Sequence, residues 1–74
     1  MLMEGQIVKL NNNKEYIVIK KINAHSFNYV YLITSDKPIE FLVATEKVDN
    51  GKTILEEIKD NNELDYALTI LKSI

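Results

Sequence analysis

Cysteine and arginine are both absent from this 74-residue chain, and histidine, proline and glycine are scarce. Without cysteine no disulfide can form, and no thiolate is present to act as a nucleophile or as a zinc ligand. The lack of cysteine fits a reducing compartment, and we expect a cytoplasmic protein. The two glycines, Gly5 and Gly51, do not form a glycine-rich phosphate loop, which excludes the known nucleotide-binding loop motifs.

All nine basic residues are lysine, and the net charge is −2. Arginine provides the planar group that recognises phosphate and guanine, so an acidic chain without it is a poor candidate for binding nucleic acid. Isoleucine, lysine and asparagine together supply 27 of the 74 residues, which is typical of AT-rich coding sequence. This bias indicates a low-GC bacterium or one of its phages.

Long apolar runs are also missing. The longest span about five residues, whereas roughly 20 are needed to cross a bilayer. The first residues lack the basic segment followed by an apolar run that marks a signal peptide. We therefore expect no membrane partner, and a chain of this length is expected to form a single domain over residues 1–74.

Residues that favour strands are concentrated in runs that turn-forming residues separate. Residues 16–19 and 29–33 are apolar at successive positions, which is typical of strands that are covered on both faces. Three asparagines at 11–13, the segment around Pro38, and Asn50-Gly51 are turn signals. The pattern predicts five strands, over residues 6–10, 15–22, 27–34, 39–47 and 52–58.

The last part of the chain has helical periodicity and predicts a helix over residues 62–73. Asp60 with Glu63 has the spacing of a capping box, and Asn62 is an alternative cap. The apolar stripe is wide, so we expect the helix to lie against the sheet. The predicted fold is α+β: a five-stranded antiparallel meander curled toward a small SH3-like barrel, with one C-terminal helix packed on it.

Catalytic and metal-binding groups are few. His25 is the only imidazole, and its neighbour Ser26 is in a polar turn, which does not supply the geometry of an activated nucleophile. Glu56 and Glu57 point to opposite faces of a strand, so they do not converge as an acid and base pair. The acidic residues at the helix start suit the positive end of the helix dipole. We expect no enzyme, metal, cofactor or small-molecule substrate.

The aromatic residues of the third strand share one strand parity with Ile33 and can be interpreted in three ways. They are core residues beneath the helix, a surface for a protein partner or second copy, or a stacking surface for single-stranded nucleic acid aided by Lys20 and Lys21. The candidate partner-binding residues are Phe27, Tyr29, Tyr31, Ile33, Tyr66, Ile70 and Ile74.

The order IVKLNNNKEYIVIKKI, YVYLI, IEFLV and NGKTILEEIKDNNELDYALTIL extends over nearly the whole chain. This order resembles the small, uncharacterised YrzB-like proteins of low-GC Gram-positive bacteria and their prophages. The resemblance implies a small β-sheet capped by a helix in a cytoplasmic bacterial or phage protein, and it transfers no catalytic residue.

These observations predict a small, non-catalytic protein-binding module, which we expect to act as a homodimer or with a protein partner. Two alternatives stay open. One is a phage-encoded inhibitor of a host enzyme or defence complex, and the other is a single-strand nucleic-acid binder.

Overall fold

The strands form one antiparallel sheet in which neighbours in sequence are also neighbours in space. The computed structural model describes residues 2–24 and 26–73. Its elements are β1 (Ile7–Lys9), β2 (Glu15–Ala24), β3 (Phe27–Thr34), β4 (Phe41–Asp49), β5 (Lys52–Glu57) and α1 (Asn61–Lys72). The sheet has the order β1-β2-β3-β4-β5 and curls into a half-barrel, with α1 as its one C-terminal helix. The prediction of a curled, five-stranded antiparallel sheet with one C-terminal helix is confirmed.

The two asparagine-containing turns have the backbone that their residues favour. Asn13 has a φ of 65°, and the Asn12 side chain accepts a hydrogen bond of 3.0 Å from the Lys14 N–H. Asn50 and Gly51 both have positive φ, at 50° and 79°. Two successive positive φ values match a tight hairpin turn to the twist of its strands. These turns therefore set β1 beside β2 and β4 beside β5.

Strand β4 begins at Phe41, two residues later than the sequence predicts, because Thr34 organises the preceding loop. The Thr34 hydroxyl donates to the Pro38 carbonyl at 3.1 Å and accepts from the Glu40 N–H at 2.8 Å. The Thr34 N–H donates to the Glu40 carbonyl at 3.0 Å. These bonds pair the polar groups of the loop with one another, so the hydrogen-bonded ladder between β3 and β4 does not extend into the loop.

Asp60 is the N-cap of the helix, which decides between the two caps that the sequence allows. The Asp60 carboxylate accepts a hydrogen bond of 3.2 Å from the Glu63 N–H, and Asn62 lies inside the helix. A carboxylate at this position satisfies a free backbone donor and is also favoured by the helix dipole. At the other end the Ser73 N–H and hydroxyl both donate to the Ile70 carbonyl.

Strand β3 contributes to two cores, one on each face of the sheet. On the concave face, Val30 and Leu32 pack with residues of β2 and β4. On the convex face, Tyr29 and Tyr31 pack beneath α1. Successive side chains of a strand point to opposite faces, so one uninterrupted apolar run fills both cores. The concave cluster is completed by Tyr16, Val18 and Ala44, and the convex cluster by Val43, Ile58 and Ala67.

Tyr31 joins the sheet directly to the helix. Its side chain is 0% exposed, and its hydroxyl donates to the Ala67 carbonyl at 2.5 Å. Ala67 is also fully buried, and its small side chain lets the helix approach the tyrosine ring closely. A buried tyrosine is favourable when its hydroxyl has such an acceptor.

A β-bulge in β2 changes which lysine reaches the concave face. Val18 pairs with Leu32, but the register shifts after it, and Lys21 pairs with Val30. A bulge inserts one residue and so reverses the parity of the strand beyond it. Lys21 therefore lies on the concave side, where its ammonium group forms an ion pair of 2.9 Å with the buried Glu46.

The Lys21–Glu46 pair also binds the beginning of the described chain. The Leu2 N–H donates to Glu46 at 3.0 Å, and the Lys21 ammonium group donates to the Leu2 carbonyl at 2.6 Å. Burial raises the pKa of the Glu46 carboxyl, but the bonds from Leu2 and Lys21 outweigh this effect and hold the pKa below its ordinary value. The segment at Leu2 is thereby held against the concave core.

We expect Tyr31→Ala to lower the free energy of unfolding by about 3–5 kcal/mol, because it leaves a cavity between the sheet and the helix. Tyr31→Phe keeps the ring and should cost about 1 kcal/mol for the lost hydrogen bond. Urea denaturation of the two variants measures both values. A loss below about 0.5 kcal/mol for Tyr31→Ala, the range of surface substitutions, would show that Tyr31 is not core.

Glu46→Gln should lower the stability at pH 7 by about 1–3 kcal/mol, since a charged hydrogen-bonding group is lost from a buried site. The folded pKa of Glu46 is lowered, so its contribution is complete above the unfolded pKa of about 4.3 and disappears as the pH falls through the folded value. Denaturation from pH 7 to pH 3 should show the difference from wild type shrinking. Glu57→Gln, on the exposed end of β5, is the control and should change little.

Candidate functional site

The convex face is only partly covered by the helix. The Tyr31–Ala67 bond places α1 over the middle of β3, and exposed apolar side chains remain on both sides of that contact. The large apolar residues on the surface of the described chain include Ile7, Ile19, Phe27, Ile39, Phe41 and Tyr66. Single exposed apolar residues are normal, but adjoining ones can mark a contact surface. The strand register shows which of them adjoin.

Four of the apolar residues form one line across four strands. Ile7 of β1 pairs with Ile17 of β2, Ile17 pairs with Ile33 of β3, and Ile33 pairs with Phe41 of β4. We call Ile7, Ile17, Ile33 and Phe41 the apolar row. Its ends are the most open, with Ile7 59% and Phe41 48% exposed, while its two central residues are half-buried.

The apolar row lies beside the convex core. Ile33 follows Tyr31 by two positions on the same strand, so both side chains point to the convex face. The ring of Phe41 stacks near that of Tyr31, with centroids 6.4 Å apart. The row therefore continues the core outward into solvent, on the side of the Tyr31–helix contact away from Tyr29.

On the other side of that contact, aromatic rings surround a small depression at the first turns of the helix. We call it the aromatic notch; it has a volume of about 420 Å³ and is lined by Phe27, Tyr29, Thr45, Asn62, Glu63 and Tyr66. The rings of Phe27 and Tyr29 have centroids 6.0 Å apart, and those of Tyr29 and Tyr66 are 6.4 Å apart and nearly perpendicular. Tyr29 is buried, while Phe27 and Tyr66 are exposed at its rim.

Among the described residues that line the aromatic notch, the one that is charged at neutral pH is Glu63. Lys47 lies two residues from Thr45 on the same face of β4, where its ammonium group forms an ion pair of 3.4 Å with Glu56. Burial raises the pKa of the Tyr29 hydroxyl, and the charges of Tyr66 and Glu63 raise that pKa further. The Glu63 carboxylate thus acts on the same space as the Tyr29 ring. Among the residues that the structure describes, no lysine lines the notch.

A second concavity, of about 870 Å³, lies on the other face of the sheet. It opens between β1 and β5, which are the two edges of the half-barrel and do not pair with each other. Its apolar lining includes Val8, Leu10, Leu42 and Leu55, which also pack against the concave core. This cleft is the open side of the barrel, and its apolar lining belongs to the hydrophobic core, whereas polar residues such as Asn11, Asn12 and Lys59 line the rest.

Three of the predicted partner-binding residues lie on exposed or half-exposed surface, in two separate places. Phe27 and Tyr66 belong to the aromatic notch, and Ile33 belongs to the apolar row. The structure therefore divides one predicted surface into two, with the helix contact between them.

The other predicted residues lie at the contact between the helix and the sheet or outside the described chain. Tyr29 and Tyr31 are 5% and 0% exposed, and Ile70 is half-buried against the same cluster. Tyr31 is therefore a core residue, and its inclusion in a partner surface is corrected because α1 covers its ring. Ile74 lies outside the residues that the structure describes.

The residues of the nucleic-acid alternative do not share an exposed surface. Tyr31 is covered by the helix, and Lys21 lies on the concave face in its pair with Glu46. Only Phe27 offers an open ring among the three aromatics of β3. Stacking of successive bases requires adjacent open rings, and this strand does not present them.

The candidate acids have structural roles. Glu56 pairs with Thr45 and Glu57 with Ala44, so their side chains point to opposite faces as predicted. Asp60 caps the helix. His25 lies outside the described residues. Within residues 2–24 and 26–73, no three histidine or acidic residues are grouped so that they could hold a metal ion.

Sequence reasoning did not predict three residues of the apolar row as partner-binding residues, Ile7, Ile17 and Phe41, nor three that line the aromatic notch, Thr45, Asn62 and Glu63. The pairing of Ile7 with Ile17 follows from the three-residue turn at 11–13, so the sequence could have predicted this pair. The pairing of Ile17 with Ile33 depends on the bulge in β2, which no feature of the sequence indicated.

The chain matches no protein-family model, and comparisons with curated proteins and with solved structures give no match. Within the described part of the chain, α1 is too short and too polar to span a membrane.

Tyr29 and Tyr31 should ionise at a higher pH than tyrosines of the unfolded chain, which titrate near pH 10. Because their folded pKa values are raised, the stability they contribute is complete below about pH 10 and decreases as the pH rises toward the folded values. Tyrosinate absorbance at 295 nm, in water and in urea, measures the difference. Tyr29→Phe should remove one late-titrating group, and coincident titrations in water and urea would contradict the buried environment.

Proposed function

We propose that this chain is a small, non-catalytic protein-binding module whose contact surface is the apolar row. The observation that supports it is the register of Ile7, Ile17, Ile33 and Phe41, which lines up four apolar side chains on one face. Burial of apolar surface stabilises a contact by about 25 cal/mol per Å², and the exposed ends of the row supply such surface.

The occupant that we propose is a second copy of the chain. An uncharged apolar row is complementary to itself, and a two-fold dimer places the same patch of each copy in contact. Strand pairing sets its residues side by side across the convex face of the curled sheet, so the same four side chains of two copies can meet where the two convex faces touch. A host protein bound at the same row, as an inhibitor would require, is the alternative occupant.

We also infer that the half-barrel is a small SH3-like barrel that is open between β1 and β5. The consecutive strand order and the curl of the sheet support this. The composition, rich in isoleucine, lysine and asparagine and free of cysteine, supports the cytoplasm of a low-GC bacterium or its phage-infected host as the setting.

Sedimentation equilibrium tests the proposal with two charged variants. Phe41→Glu places a carboxylate in the apolar row and should convert a wild-type dimer to a monomer, because burying an unpaired charge costs several kcal/mol. Val48→Glu is the matched control: Val48 is also on β4 and is 69% exposed, but it pairs with Thr53 away from the row. This control should stay dimeric.

Two outcomes would contradict parts of the proposal. A wild-type chain that stays monomeric at about 1 mM would exclude a dimer of useful affinity. If Phe41→Glu then retains every partner that wild type binds, the apolar row is not the contact surface. Thermal unfolding of each variant shows that the comparison is made between folded chains.

A further inference from the structure

The walls of the aromatic notch are suited to a cation. The notch brings together the rings of Phe27, Tyr29 and Tyr66, and each ring has a face that carries negative electrostatic potential. Tyr29 is held rigidly by the core, and Phe27 and Tyr66 are open to solvent at the rim. A guest can therefore enter between the exposed rings of Phe27 and Tyr66, with the small exposed part of Tyr29 at the bottom of the notch.

The charged groups at the notch also favour a cation. Glu63 lines it, and the Asp60 carboxylate lies at the cap where it accepts from the Glu63 N–H. The positive end of a helix dipole amounts to about half an elementary charge, so two carboxylates exceed it. The lining residues that the structure describes include no ammonium group to compete with a bound cation.

The size of the notch limits its guest. Its volume of about 420 Å³ is near the lower end of the range for ligand sites, roughly 300–1,000 Å³. One long side chain fits such a space, whereas a helix or strand does not enter it. The rim is formed by two separate elements, β3 and α1, and a side chain that projects from a partner's surface can reach between them.

We infer that the aromatic notch binds the cationic side chain of one lysine or arginine of a partner protein. The cation lies against the aromatic faces and its charge is neutralised by Glu63. This site goes beyond the proposed function, since it is separated from the apolar row by the Tyr31–helix contact. Either surface can fail its test without affecting the other.

Chemical-shift titration of the ¹⁵N-labelled protein tests the inference with N-acetyl-arginine methylamide and N-acetyl-lysine methylamide as probes. Both should move the amide signals of Phe27, Thr45 and Glu63, with a Kd on the order of 1 mM for a ligand of this size. N-acetyl-citrulline methylamide has the shape of the arginine probe without its charge, and it should bind at least about fivefold more weakly, a difference of about 1 kcal/mol.

Two variants assign the charge effect to one carboxylate. Glu63→Gln keeps the length of the side chain but removes its charge. This variant should bind the arginine probe at least about fivefold more weakly. Glu57→Gln makes the same chemical change on the opposite face of the sheet and should leave binding unchanged. Amide spectra that otherwise match wild type show that both variants are folded.

Three results would overturn the inference. Equal binding of the arginine and citrulline probes would show a slot that recognises shape and not charge. Signal changes away from the notch would place the cation elsewhere on this acidic chain. Absence of any change at about 20 mM probe would exclude even millimolar affinity.

Discussion

The central strand β3 must be covered on both of its faces, and the rest of the structure depends on how the chain meets this requirement. Val30 and Leu32 need a cover on one side of the sheet, and Tyr29 and Tyr31 need one on the other. Curling of the sheet encloses the first pair, and the terminal helix covers the second. Tyr31, bonded to the helix backbone, is the point where sheet and helix are joined.

One helix cannot cover the whole convex face of this sheet. Five strands at about 4.8 Å spacing span roughly 20 Å, and a strand of the length of β3 is about 27 Å long, whereas a helix is about 10–12 Å wide. In either orientation some of the face stays open. The apolar row and the aromatic notch are the two open areas on either side of the Tyr31 contact, so both candidate surfaces are consequences of one packing limit.

The charges that stabilise the helix also give the aromatic notch its character. Asp60 caps the helix and Glu63 lies in its first turn, and both positions are favoured by the free N–H groups there. Because the first residues of β3, Phe27 and Tyr29, lie beside this turn, the carboxylate of Glu63 lines the same notch as their aromatic rings. The acidic residues that the start of the helix requires therefore also determine the charge of the aromatic notch, which β3 and α1 form together.

Local signals were enough to predict the strands, the turns and the helix, because positive φ at Asn13, the Asn50-Gly51 turn and the Asp60 cap each depend on neighbouring residues. The uninterrupted apolar run at residues 29–33 also predicted that both faces of this strand are apolar. Only the tertiary structure decided which surface stays open. A regular ladder continued from the β2–β3 turn would set Ile33 opposite Val18, and the bulge in β2 sets it opposite Ile17 instead. On either side of that bulge, the Gly5 N–H donates to the Val18 carbonyl at 2.7 Å and the Lys21 N–H donates to the Glu4 carboxylate at 3.2 Å. These contacts join segments that are distant in sequence, so local periodicity does not predict them.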